Sequence, residues 1–123
     1  GLAFYMHHDA AGEFPSGGSF WRLDRAFVNG SPAGHRSQTW SWPYQILPYI
    51  EQTALWQTPP GTLPPGASAG PTGDIAAAAT PVPTFNCPSL RGPTVFAYSQ
   101  GGWSPALGRR AMLDYVGNGG TWG

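Results

Sequence analysis

The chain has 123 residues, with 18 Gly and 14 Pro, six Arg balancing six acids, and no Lys. At 10% charged residues it carries well under half the roughly 25% of an average soluble domain, and its formal net charge is zero. A neutral chain with scattered Arg lacks the footprint of a nucleic-acid binder, and no apolar run approaches a membrane span of about 18 residues.

The Gly and Pro content approaches that of low-complexity chains. Disordered chains, however, are poor in aromatics and high in net charge, whereas this one is 14% aromatic with six Trp. It reads as one folded, loop-rich domain over residues 1–123. A start at Gly1 without Met reads as a processed chain or a fragment. The lone Cys87 excludes an internal disulfide framework and reads as a buried thiol, with pairing outside this segment as the alternative.

In chain order, residues 1–9 carry no breaker after Gly1 and predict the end of a helix, with Leu2, Tyr5 and Asp9 on one face and a stop at Ala11-Gly12. Ser19-Phe20-Trp21-Arg22-Leu23 reads as a strand, and Asn29-Gly30-Ser31-Pro32 as a turn. Residues 48–57 predict a second helix, with Pro48 at its first position, Glu51 in its first turn, and Ile50, Ala54 and Leu55 as its stripe. Residues 59–81 carry one charge, Asp74, and almost no core-building side chains, so they read as a flexible exposed loop. Residues 81–87 alternate but hold two prolines, which restricts them to an edge strand. Thr94–Tyr98 and Ala111–Val116 are the strongest strands by β-branched and aromatic content, with Arg109-Arg110 as the turn before the second. The expected fold class is α+β: an N-terminal helix tail, a small antiparallel sheet, one further short helix and long Pro/Gly-rich loops.

Catalytic signatures are weak. Adjacent His7 and His8 project about 100° apart on a helix, and no Cys or carboxylate sits at ligand spacing, so no metal site is expected. Glu13, Asp24, Glu51 and Asp114 could in principle supply a carboxylate pair, but nothing in the sequence positions two of them. There is no nucleophile elbow and no phosphate-cradling Gly-rich loop ending in Lys. An enzyme is not expected, nor any cofactor. The tryptophans Trp21, Trp40, Trp42, Trp56, Trp103 and Trp122 are candidates for a protein interface or for stacking on sugar rings. Trp40 and Trp42 share a face if extended. The plainer reading is that the indoles fill a Leu-poor core.

Four motifs in order carry a resemblance: Gly1-Leu2-Ala3 with His8-Asp9-Ala10 and Phe14-Pro15; Trp42 with Ile46-Leu47-Pro48-Tyr49-Ile50-Glu51-Gln52; Thr80-Pro81-Val82-Pro83-Thr84-Phe85-Asn86-Cys87-Pro88-Ser89; and Asp114-Tyr115-Val116-Gly117-Asn118-Gly119-Gly120. Together they resemble the planctomycete family of prepilin-type proteins with an uncharacterised, pilin- or pseudopilin-like head. The resemblance implies an extracytoplasmic structural subunit that packs with protein subunits. It also implies membrane contact only through an apolar helix N-terminal to this segment, and further chain beyond Gly123. A carbohydrate-binding module that uses exposed Trp to take a polysaccharide is the alternative.

Overall fold

A computed structural model describes residues 1–18, 24–62, 72–97 and 109–115. Helix α1 spans Leu2–Ala11, followed by a hairpin of β1 (Phe27–Val28) and β2 (Ser31–Pro32). Then come α2 (Trp42–Gln45), a 3-10 turn at Leu47–Ile50, α3 (Thr53–Trp56), α4 (Thr72–Ala79) and a 3-10 turn at Pro83–Phe85. The strands β3 (Val95–Ala97) and β4 (Arg109–Ala111) close the described chain. Each strand pair is antiparallel and two-stranded, β1 with β2 and β3 with β4, so the α+β class holds.

α1 stops where expected. Gly12 takes a left-handed φ of 79°, and its N–H donates to the His8 carbonyl at 2.7 Å. Its inward face is Ala3 and His7, however, so the Leu2–Tyr5 side points to solvent. The Asn29-Gly30 turn is also as expected. Both residues have positive φ (51° and 80°), which suits the twist of a two-residue hairpin and sets Phe27 opposite Pro32. Ser31 and Pro32 belong to the returning strand instead of the turn.

The expected helix 48–57 is broken. Pro48 sits in a 3-10 turn, Glu51 ends it in a left-handed conformation (φ 62°), and α3 begins only at Thr53. The short α2, with Pro43 in its first turn, precedes them. Three short pieces therefore wrap a common centre, where one straight helix presents a single stripe.

The expected loop 59–81 contains α4. Its Ala run has high helix propensity, and Asp74 sits in its first turn near the positive dipole end. The expected edge strand 81–87 is a 3-10 turn flanked by extended Val82 and Asn86, because Pro83 presets a turn φ and cannot donate to a ladder. β4 lies N-terminal of the expected strand and includes Arg109 and Arg110, so these form a strand instead of a turn. Beyond Ala111 the Met112 N–H still donates to the Thr94 carbonyl (3.0 Å), while the Asp114 N–H turns to the Phe85 carbonyl (2.9 Å). The strand expected at 19–23 lies outside the described residues.

The apolar core is small: Tyr44, Leu47 and Val82, ringed by partly buried Trp40, Ile50, Leu55, Trp56 and Phe85. Among the described residues as many polar side chains are buried as apolar ones, namely His7, Arg25, Gln38, Gln45, Asp74 and Asn86. Gln38, 2% exposed, stands in for a strand. Its Oε1 accepts the N–H of Ala26 (3.0 Å) and Thr39 (3.1 Å), while its Nε2 donates to the Ala33 carbonyl (3.1 Å). Gln45 ties the 16–18 segment to this centre, accepting from the Ser16 N–H (2.8 Å) and donating to the Trp40 carbonyl (2.8 Å).

Candidate functional site

The aromatic hub is built from α2 upward. Ser41 enters the helix extended, which turns Tyr44 inward one turn later. The Tyr44 hydroxyl donates to the Trp56 carbonyl at 2.6 Å, and the Trp40 ring meets Tyr44 edge-on at 5.3 Å. Burial pushes the Tyr44 phenol above its ordinary pKa, partly offset by Arg25.

Arg25 lies behind Tyr44 with its side chain fully buried. Its Nε donates to Asp74 Oδ1 at 2.5 Å, its backbone N–H to Asp74 Oδ2 at 3.0 Å, and its Nη1 to the Tyr44 hydroxyl at 3.3 Å. The guanidinium lies 5.0 Å from the Phe27 ring, 5.7 Å from Trp40 and 5.5 Å from Tyr44, within cation–π range. Both Asp74 oxygens are thus engaged in holding α4 to the hub. Burial, and then the charge of Asp74, raises the neighbouring Asp24 carboxyl above its usual range.

Between hub and α4 lies an open cavity of about 640 Å³. Its lining includes Trp40, Tyr44 and Leu55 of the hub, Ala77 and Ala78 of α4, and Phe85, Met112 and Leu113. Among the described residues that line it none is charged, and Thr39, Ser41 and Thr80 are the aliphatic hydroxyl residues. The size falls within the range of small-molecule clefts, and the walls favour apolar matter.

A second cluster fastens α1 to the body. The buried His7 ring packs edge-on to His35 (5.2 Å) and Tyr49 (5.7 Å), and its Nδ1 donates to the Glu13 carbonyl at 2.8 Å. The Glu13 carboxylate accepts from His35 Nε2 at 2.8 Å and is paired with Arg36. Arg36 and then His35 hold the Glu13 carboxyl down at about 2. A third cluster centres on Asp114, which accepts from Arg91 Nε (2.7 Å) and the Cys87 N–H (2.8 Å). These donors, Arg91 foremost, keep its carboxyl below the usual range. Cys87 is half-buried, more exposed than the buried thiol expected. Among the described residues no group of three His, Cys, Asp or Glu is placed to hold a metal.

A family profile described as "Protein of unknown function (DUF1559)" matches residues 1–122. The chain belongs to that family. No curated protein and no solved structure matches the chain. DUF1559 is a planctomycete-type family without an assigned activity, so membership brings no catalytic or binding residue with it.

Within this DUF1559 chain, Trp40 and Trp42 do not share an extended face, because Trp42 opens α2. Trp42 packs instead between Phe4 of α1 (5.4 Å) and Phe85 (5.9 Å). Trp56 borders the core, and all three indoles are partly buried. Trp21, Trp103 and Trp122 lie outside the described residues. Of the four carboxylates that could in principle supply a pair, two are engaged in ion pairs: Glu13 with His35 and Arg36, and Asp114 with Arg91. Sequence reading missed the Arg25–Asp74 pair. A lone charge in a Pro/Gly/Ala stretch was its available signal, since such a charge has a reason to be there.

Proposed function

We propose that this chain is the head of a non-catalytic, extracytoplasmic structural subunit, pilin- or pseudopilin-like, that works by packing against protein neighbours in a filament, secretion apparatus or similar assembly. The observation that carries the reading is the outward side of α1. Leu2 is 75% exposed, Tyr5 64% and Met6 42%, and Phe14 beside them is 52% exposed. Tyr5 and Phe14 meet edge-on at 6.0 Å, so these side chains form one patch. A monomer gains nothing from such a patch in water, whereas a neighbour that covers it gains about 25 cal/mol per Å².

Two further features support the reading. The chain is neutral, so copies approach without long-range repulsion. The carboxylates of Glu13, Asp74 and Asp114 serve ion pairs that fasten segments together. No helix among the described residues is long and apolar enough to cross a membrane. In this reading membrane contact belongs to a helix N-terminal to Gly1.

Light scattering across a concentration series, with negative-stain electron microscopy of the concentrated sample, tests the proposal. Mass that grows with concentration into regular assemblies is expected; a monomer at every concentration sinks it. Tryptophan fluorescence titrated with polysaccharides is expected to stay flat. A saturable shift abolished by Trp40→Ala or Trp42→Ala would put a sugar-binding module in its place.

A further inference from the structure

Among the described residues Asn29-Gly30 is the one Asn-Gly step, and it forms the tip of the first hairpin. Both residues are exposed, with positive φ of 51° and 80°, and the strands pair beneath them as Val28 with Ser31 and Phe27 with Pro32. An Asn side chain ends in an amide carbon on which the next backbone nitrogen can close a five-membered ring. Glycine presents that nitrogen without a Cβ to crowd the approach. A Cβ placed on Gly30 would meet nothing within 4 Å, so the tip is open on that side. The base of the hairpin is closed separately: the Ala33 N–H donates to the Ala26 carbonyl at 2.8 Å, and the Gln38 amide bonds to both residues.

We propose that Asn29-Gly30 is a self-modifying site, at which the Gly30 nitrogen attacks the Asn29 side-chain amide while the hairpin stays paired. A bond forms between Gly30 N and Asn29 Cγ, the bond from Cγ to Nδ2 breaks, and the Gly30 N–H proton leaves with Nδ2 as ammonia. Water then opens the succinimide at either carbonyl, giving aspartate or isoaspartate, with no other co-reactant. The turn favours this step. Ring closure brings the Gly30 nitrogen into plane with the Asn29 Cβ at a ψ of about −120°, which with a positive φ is the first central position of a type II′ turn. That turn also closes a two-residue hairpin. Asn29 already has the required φ, so the flip of one peptide plane suffices, and Gly30 accepts the change of sign that the flip demands of its own φ. Val28 and Ser31 need not separate. Either product adds a seventh acid to a chain of six acids and six Arg, so the net charge becomes −1. Isoaspartate also lengthens the main chain by one carbon inside a turn whose length sets the register of both strands. The step needs no neighbour and stands apart from the subunit reading above.

Peptide mapping by mass spectrometry tests this on the full chain, aged in mildly alkaline buffer both folded and in denaturant. Cleavage after Arg25 and Arg36 separates Asn29 from the second Asn-Gly step, Asn118-Gly119. Aspartate and isoaspartate at position 29 are both expected, with a more acidic band on isoelectric focusing. Aspartate without isoaspartate means that water attacked the amide directly, and overturns the proposal. The folded chain is expected to react at a rate within about tenfold of the denatured chain, because the two-residue turn accommodates the ring. Slower reaction than that means that the hairpin shields Asn29, and overturns it. Gly30→Ala is expected to slow the step about tenfold or more in denaturant, where a Cβ crowds the nitrogen whatever the fold does. An unchanged rate for that variant in denaturant overturns attack by residue 30.

Discussion

The two longest helices described, α1 and α4, are held to the body in opposite ways. α1 is docked through Ala3 and a buried imidazole, and it turns Leu2, Tyr5 and Met6 outward. α4 is docked through Gly73 and Asp74, with a carboxylate in an ion pair at its first turn and Ala77 and Ala78 facing the cavity. Neither is anchored by a conventional apolar stripe. The lesson is that in a Leu-poor chain, docking strength depends on how deeply the polar anchor is buried. The Arg25–Asp74 pair is sealed from water, whereas the Glu13–Arg36 pair is open to it.

The largest expected effect follows from that difference. Asp74→Ala leaves Arg25 charged and buried among three rings, and removing one member of a buried pair costs about 3–5 kcal/mol. Chemical denaturation is expected to show that loss, and the double variant Arg25→Met, Asp74→Leu is expected to lose less than Asp74→Ala alone. A loss under about 1 kcal/mol for Asp74→Ala would mean that α4 is held by something else.

Gly73→Ala comes next and sets two rules against each other. Ala is favoured over Gly within a helix by roughly 1 kcal/mol. Here, however, a Cβ would collide with the backbone carbonyl of Pro59, and the Gly73 N–H already donates to the Pro60 carbonyl at 2.8 Å. Backbone cannot yield as a flexible side chain does, so a net loss of about 1–3 kcal/mol is expected by thermal melting.

His7→Ala is expected to act locally. It removes the contacts to His35 and Tyr49 and the bond to the Glu13 carbonyl, worth about 1–2 kcal/mol together. Hydrogen exchange is expected to quicken in α1 while α4 keeps its protection. Equal quickening in both would break the contrast between the two helices.

The smallest effect is the acid response of Glu13. Its carboxyl is lowered from 4.5 to about 2, so the folded state binds its proton less readily than the unfolded state. Its contribution is therefore full above about pH 4.5 and fades as pH falls towards 2. Glu13→Gln is expected to flatten that limb of the stability–pH curve and to change neutral stability little, because the group is exposed.

Local signals were legible in the sequence. The Gly12 stop and the Asn29-Gly30 hairpin turn depend on one or two residues whose backbone preferences are strong. α4 was not, because its attachment comes from Arg25, 49 residues away, and an Ala run in Pro/Gly surroundings carries no stripe to reveal a buried face. Gln38 and Gln45 gave no signal at all; an amide reads as surface until its roughly four possible bonds are located in space. The strip on α1 was visible at Leu2 and Tyr5, but its direction was not, since periodicity shows that a helix has two sides without showing which is covered.

The Gln38 amide also bears on how this molecule responds to temperature. Heat capacity rises when apolar surface meets water on unfolding and falls when polar surface does. A core that seals arginine, glutamine, asparagine and histidine beside tyrosine, leucine and valine releases less of the first kind and more of the second. Scanning calorimetry is therefore expected to give a heat-capacity increment below the usual ~12–15 cal/mol/K per residue, and so a flatter stability curve. A fold fastened by amides and guanidinium loses less to cold than one held by oil.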